Sequence, residues 1–264
     1  MEHEGIIRLS VFLGLFSLLA LLEWVLPRRP RRQAQSARWI TNWAIVILDT
    51  LTLRLVAIAL PLLAVGAAMD AERLDWGLFN ALNWPFWLET LAVILILDLA
   101  IWTQHLITHK VPILWRLHQV HHADEDMDVT TAIRFHPVEI ALSMLLKIGL
   151  VYLLGPSALA VVVFEVLLNG TAMFNHANLK LPLWLDRWLR LVIVTPDMHR
   201  VHHSVERREH DSNYGFALSL WDRLFGTYTA QPEDGHDAML VGLRWREGQA
   251  NRLGWSLALP FRNK

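Results

Sequence analysis

The chain has 264 residues, 54% hydrophobic and only 19% charged, with a formal net charge of −1 and no cysteine. So balanced a charge excludes a nucleic-acid partner held by bulk electrostatics. The missing cysteines exclude disulfides, thiolate metal sites and cysteine nucleophiles, so any metal must be held by nitrogen and oxygen.

Thirteen tryptophans and a positive mean hydropathy point to a membrane-embedded protein with a polar remainder. Length alone allows one or two domains. The N-terminus, Met1 to Gly5, is acidic where a secretory signal is basic, and no small-residue cleavage pattern follows, so the first apolar segment reads as retained. Ile6 to Leu26 has the length of one membrane span. Pro27 stops it, and Arg28, Arg29, Arg31, Arg32 and Arg38 mark the cytoplasmic side, which puts the N-terminus outside.

Trp43 to Met69 is the predicted second span, with Asp49 and Arg54 read as an internal pair because an intramembrane charge needs a partner. Asp70 to Trp84 reads as an outer loop, and Phe86 to Trp102 as the span that returns to the cytoplasm. Ile140 to Leu154 and Ala158 to Phe174 are two shorter arms around Gly155-Pro156, a pair that breaks helices. They predict a hairpin or a tilted pair of helices, in which Lys147 and Glu165 stand at similar depth and neutralise each other. Leu183 to Val194 is amphipathic, with Trp184, Trp188 and Leu191 suited to the membrane surface. The polar remainder from His199 reads as cytoplasmic. The organisation is therefore residues 1–85 as N-terminal membrane helices and outer loop, 86–230 as the histidine-bearing domain, and 231–264 as a C-terminal tail.

The chemistry lies in the histidines. His105 and His109, four apart, share a helix face, as do His118, His121 and His122, and again His199, His202 and His203. Neutral imidazole is the commonest metal ligand. One first-row ion takes at most about six ligands, so eight to ten imidazoles argue for two ions. Zinc is a poor first choice, because structural zinc takes four ligands and catalytic zinc three plus water. Iron accepts imidazole and supports oxygen chemistry. His136 and His176 stand alone, each either a further ligand or a buried hydrogen-bonded histidine. His3, His210 and His236 fall outside the pattern and read as surface residues.

HxxxH, HxxHH and HxxHH, in this order on a hydrophobic chain, resemble the fatty acid hydroxylase / sterol desaturase superfamily of integral-membrane di-iron oxygenases. The resemblance covers about residues 90–230. It includes Asp98 before the first motif, Leu114-Trp115 before the second, His136-Pro137, Asn175-His176-Ala177-Asn178, Thr195 to His199, and Trp221 to Thr227. It implies an all-α fold, a membrane bundle of about four to five helices or hairpin arms capped by a cytosolic histidine-rich helical domain. It also implies two iron ions near the interface, and O₂ as co-substrate for hydroxylating or desaturating an unactivated C–H bond of a lipid or sterol-like substrate. By position, His105, His109, His118, His121, His122, His199, His202 and His203 would be ligands, with His176 and His136 completing the set.

An all-imidazole shell leaves the irons strongly positive, so Asp98, Asp197 and Asp222 are the candidates to orient ring N–H groups. Asn213-Tyr214-Gly215 reads as a turn near the substrate entrance. No haem, flavin or iron–sulfur pattern is present, so electrons must come from a separate donor protein or a small soluble reductant such as a pterin. Short loops suggest a bacterial inner membrane, with the active site on its cytoplasmic face. Two other readings stay open. One is a di-zinc hydrolase of a membrane lipid. The other is a non-enzymatic metal transporter, disfavoured because the spans are poor in ligands.

Overall fold

Long apolar runs set the five principal helices: α1 (Glu4–Val25), α2 (Gln35–Ala59), α5 (Phe86–Lys110), α7 (Pro137–Leu154) and α8 (Ala158–His176). Even α7, with 18 residues, rises about 27 Å at 1.5 Å per residue, and all five are long and apolar enough to cross a bilayer. Their outward faces carry Ile7, Leu9, Leu18 and Leu21 of α1 and Ile47, Leu51 and Leu55 of α2, all exposed. Such a surface is matched to lipid and not to water. In this computed structural model the described residues are 4–59, 63–82, 84–244 and 248–262. Among them, all regular structure is helical, joined by three isolated β-bridges. The chain is an all-α integral membrane protein.

Three predicted boundaries move. The apolar stretch Trp43 to Met69 is not one span. α2 starts at Gln35 and ends at Ala59, and a separate helix, α3 (Ala64–Arg73), follows. The sequence carries a proline at position 61 between them, a residue that ends helices. α5 continues past Trp102 to Lys110, so the first histidine motif extends the membrane helix itself. The amphipathic stretch beginning at Leu183 forms only a short helix, α9 (Leu183–Leu189), after which Ile193 bridges Leu218. Its apolar face is exposed as expected, with Leu183, Trp184, Trp188 and Leu191 all open.

Charges inside the bundle follow two different outcomes. Lys147 Nζ lies 2.9 Å from Glu165 Oε1, the predicted pair, and Arg8 of α1 approaches the other Glu165 oxygen at 2.5 Å. Asp49 and Arg54 do not pair. Five residues apart they sit on different helix faces, Asp49 buried with Oδ1 unpartnered and Arg54 exposed.

The two ends of the bundle are fixed by different means. At the hairpin turn, Gly155 caps α7 in the left-handed region with φ +59°. A Cβ on Gly77, before the short α4 (Leu78–Leu82), would stand 2.4 Å from the Gly155 backbone nitrogen, so these two backbones touch. At the other end a buried polar cluster staples α1 and α2 to the segment after α6 (Pro112–His122). Arg38 donates to Asp124 at 2.7 and 2.8 Å and to Asp128 at 2.7 Å. Glu23 accepts from the backbone N–H groups of Val129 and Asn178. The C-terminal stretch is no free tail. Trp255 and Leu259 pack with Ile45 and Val120, and Arg134 donates to Ser256 Oγ at 2.7 Å.

Candidate metal centre

Four helices deliver the histidines to one buried place at the stapled end: α5, α6, α8 and α10 (Pro196–His202). Nine imidazoles form two groups. His105, His109, His118, His122 and His202 make one, and His121, His176, His199 and His203 the other. Within each group the candidate ligand nitrogens all lie within 4.8 Å of one another, and all nine residues are buried.

The proton positions follow from the partners. Nδ1–H of His105 donates to the Tyr214 carbonyl at 2.7 Å, and that of His118 to Glu139 Oε1 at 2.6 Å. Those of His121, His176 and His202 donate to the carbonyls of Arg134, Ala172 and Ser212. A carbonyl or carboxylate can only accept, so all five rings carry a proton at Nδ1 and turn Nε2 toward the group's interior as the candidate ligand atom. Yet the Nε2 atoms of His105 and His118 face each other at 3.0 Å, as do those of His121 and His176. Two lone pairs at that distance repel unless a positive charge lies between them. One such pair occurs in each group, so the donor set fits two cations.

Neutrality is built in. Burial, and then the neighbouring imidazoles, holds His121, His122, His199 and His203 well below the usual histidine pKa. Burial does the same for His202 against the opposing pull of the Ser212 carbonyl. Neutral rings are what a metal requires.

Sequence-predicted residues divide. His105, His109, His118, His121, His122, His176, His199, His202 and His203 come together. His136 does not. Its Nδ1 accepts from Val138 N–H and so caps α7, while Nε2 lies 3.3 Å from the Leu257 carbonyl. The three aspartates hold no ligand ring directly. Asp222 accepts from Tyr214 N–H at 2.8 Å and Gly215 N–H at 2.9 Å, and so fixes the carbonyl that orients His105. Asp98 accepts from Trp221 Nε1–H at 2.9 Å, bracing the same loop. Asp197 pairs with Arg28 and Arg200. The carboxylate that hydrogen-bonds a ligand imidazole is Glu139, three residues after His136, while Asp211 lies 3.7 Å from His109 Nδ1; an acid in the first turn of an apolar helix was the one sequence signal of Glu139.

His236 is not a surface residue, and His210 is half-buried. His210 stacks on Trp115 at 5.3 Å, and Trp115 in turn lies 4.8 Å from His109, while His236 is buried 3.8 Å from Asp197. His3 lies outside the described residues. Asn213-Tyr214-Gly215 is an irregular loop segment and not a turn, with Asn213 at φ +52°, tied through Nδ2 to the Met198 and Thr229 carbonyls. It serves the ligand shell, since Tyr214 supplies the acceptor for His105.

Residues 90–227, more than half the chain, match the fatty acid hydroxylase family. The chain belongs to that family. Among its relatives, alkylglycerol monooxygenase of Homo sapiens is 33% identical over 163 residues, which are 60% of this chain and 34% of that protein. The ornithine lipid hydroxylase OlsE of Rhizobium tropici is 25% identical over 84% of this chain and 67% of its own length. A cholesterol 25-hydroxylase-like protein of Danio rerio is 24% identical over 86% of this chain and 94% of its own. The chain spans about a third of the alkylglycerol monooxygenases it matches. No solved structure matches it. All nine clustered histidines lie within the matched segment.

Proposed function

We propose that this protein is a membrane-bound di-iron hydroxylase that inserts one oxygen atom of O₂ into a C–H bond of a lipid. The observation that carries the reading is the pair of facing lone pairs, one in each histidine group. The size of the donor set favours iron over zinc, because five imidazoles in one group exceed the four ligands of structural zinc and the three of catalytic zinc.

When bound, the two irons supply O₂ reduction: RH, O₂, two electrons and two protons give ROH and water. The chain's own residues do the rest. Tyr214 and Glu139 fix the His105 and His118 rings that border a cavity of about 170 Å³ between α5, α7 and α8. Ile101, Ile140, Leu168 and Phe216 give that cavity apolar walls that exclude water. The arginines after α1 support a centre on the cytoplasmic face. Electrons come from a separate donor protein or a soluble reductant.

Protein purified from cells grown on isotopically enriched iron tests this by metal analysis and Mössbauer spectroscopy. Two coupled high-spin irons per chain are expected, and His121→Ala should lose the coupling. Stable zinc with no iron uptake after reconstitution would replace the reading with a hydrolase. Glu139→Leu should lower metal affinity by about 10–100-fold in a chelator competition; unchanged affinity would reduce Glu139 to a filler of space.

A further inference from the structure

A second cavity, about 600 Å³, opens between α5 and α7 at membrane depth. Its cause is visible in the packing. α5 packs chiefly on α6 and α8, and α7 on α2 and α3, so α5 and α7 splay apart. Apolar side chains line the gap, including Ile96 and Leu99 from α5 and Leu142, Leu146 and Leu150 from α7. Ile96, Leu142 and Leu146 are exposed, and so face lipid. This groove shares Gln104, Thr108 and Glu139 with the cavity that touches His105 and His118. The bilayer and the metal centre therefore meet across those three residues.

Thr108 Oγ1 donates to the His105 carbonyl, and one Glu139 oxygen holds His118 while the other, Oε2, is buried without a partner among the described residues. Half-buried Gln104 accepts through Oε1 from Ser143 Oγ at 3.2 Å, but its amide N–H groups have no partner among the described residues. In a groove that faces lipid an unpaired amide is costly, and an acceptor brought by a ligand would offset that cost. A plain hydrocarbon would not. Gln104 and His105 line the same cavity, so an oxygen bonded to Gln104 lies in the space that a ligand ring borders. From Glu139 to Leu150 the groove runs along α7 for about 16 Å, room for an alkyl chain.

We propose that the substrate is a lipid whose alkyl chain enters sideways from the bilayer between α5 and α7, and that Gln104 reads an accepting oxygen beside that chain. The inference rests on the hydroxylase reading and deepens it. It fixes a regiochemistry: the carbon presented to the metals lies within a few bonds of that oxygen, and the rest of the chain fills the groove.

Photolabelling of the full chain in liposomes tests the route without turnover, so it stands apart from the identity of the metal. One probe is a glyceryl ether with a diazirine in its alkyl chain, and a second is the matching hydrocarbon without oxygens. Adducts of the ether probe are expected on residues 96–107 and 142–150, and should be lost in Leu146→Trp and Ala100→Trp at unchanged metal content. Adducts concentrated on α9 or on the cytosolic loops would overturn the route. Gln104→Leu should weaken binding of the ether probe about tenfold, the worth of one hydrogen bond, and leave the hydrocarbon probe unchanged. Equal weakening of both would overturn the role of Gln104. If the tryptophan variants fail to fold, the adduct map of the unaltered chain still decides the route.

Discussion

His176→Ala is expected to abolish hydroxylation and to take the metal content from two ions per chain to one. His176 is the hub of the four-histidine group. Its Nε2 lies 3.0 Å from that of His121 and 3.2 Å from those of His199 and His203. Its ring is held by its own helix, through Nδ1–H to the Ala172 carbonyl at 2.7 Å. The five-histidine group shares no residue with it and keeps its full donor set. The contrast is His136→Ala, which should leave both ions in place and cost about 1 kcal/mol, the usual worth of a helix N-cap. Metal analysis and Mössbauer spectroscopy of the two variants, beside thermal unfolding, check both halves. Loss of an ion from His136→Ala, or two ions retained in His176→Ala, would redraw the ligand set.

The difference between these two histidines was not legible in the chain order, where both stand alone. His176 ends α8, and α8 packs on α10, which carries the last motif. His136 begins α7 and points back at the C-terminal stretch. Only the crossing of helices distinguishes them.

The same holds for how the motifs divide. Spacing placed His118, His121 and His122 on one face, yet His121 joins the second group while its two neighbours join the first. In the last motif it is His202 that crosses over. Residues three and four apart share a face, but α6 and α10 lie across both groups, so the second and third motifs each supply both. The all-helical membrane fold, the hairpin with its Lys147–Glu165 pair and eight ligand candidates were readable, because periodicity and local spacing carry them. Glu139 was not. An acid in the first turn reads as a partner of the helix dipole, and its bond to His118 joins positions 21 apart in the chain.

Arg38→Met should destabilise the protein by about 3–5 kcal/mol, the cost of leaving a buried charge without its partner. Arg38, Asp124 and Asp128 are each about 1% exposed, so water cannot take over the missing role. Burial alone would raise the Asp124 carboxyl, but the Arg38 charge and its hydrogen bonds outweigh that and bring it down to about 2. A depressed carboxylate adds stability that is present above its unfolded value of 3.8 and lost as pH falls through about 2. The unaltered protein should therefore lose this contribution only in that acid window, and Arg38→Met should lack it already at neutral pH. Thermal unfolding in detergent across pH reads both. The double variant Arg38→Met with Asp124→Asn removes one of the stranded charges and should recover part of the loss. A double variant no more stable than Arg38→Met would mean that shape, not charge, is what the cluster supplies. Asp124 stands two residues after His122, and its Oδ2, which Arg38 also holds, accepts from Thr131 Oγ1 at 2.8 Å. The ion cluster thus anchors the end of α6, and with it the His121 and His122 rings. Metal affinity should fall together with stability in Arg38→Met, although Arg38 touches no ligand.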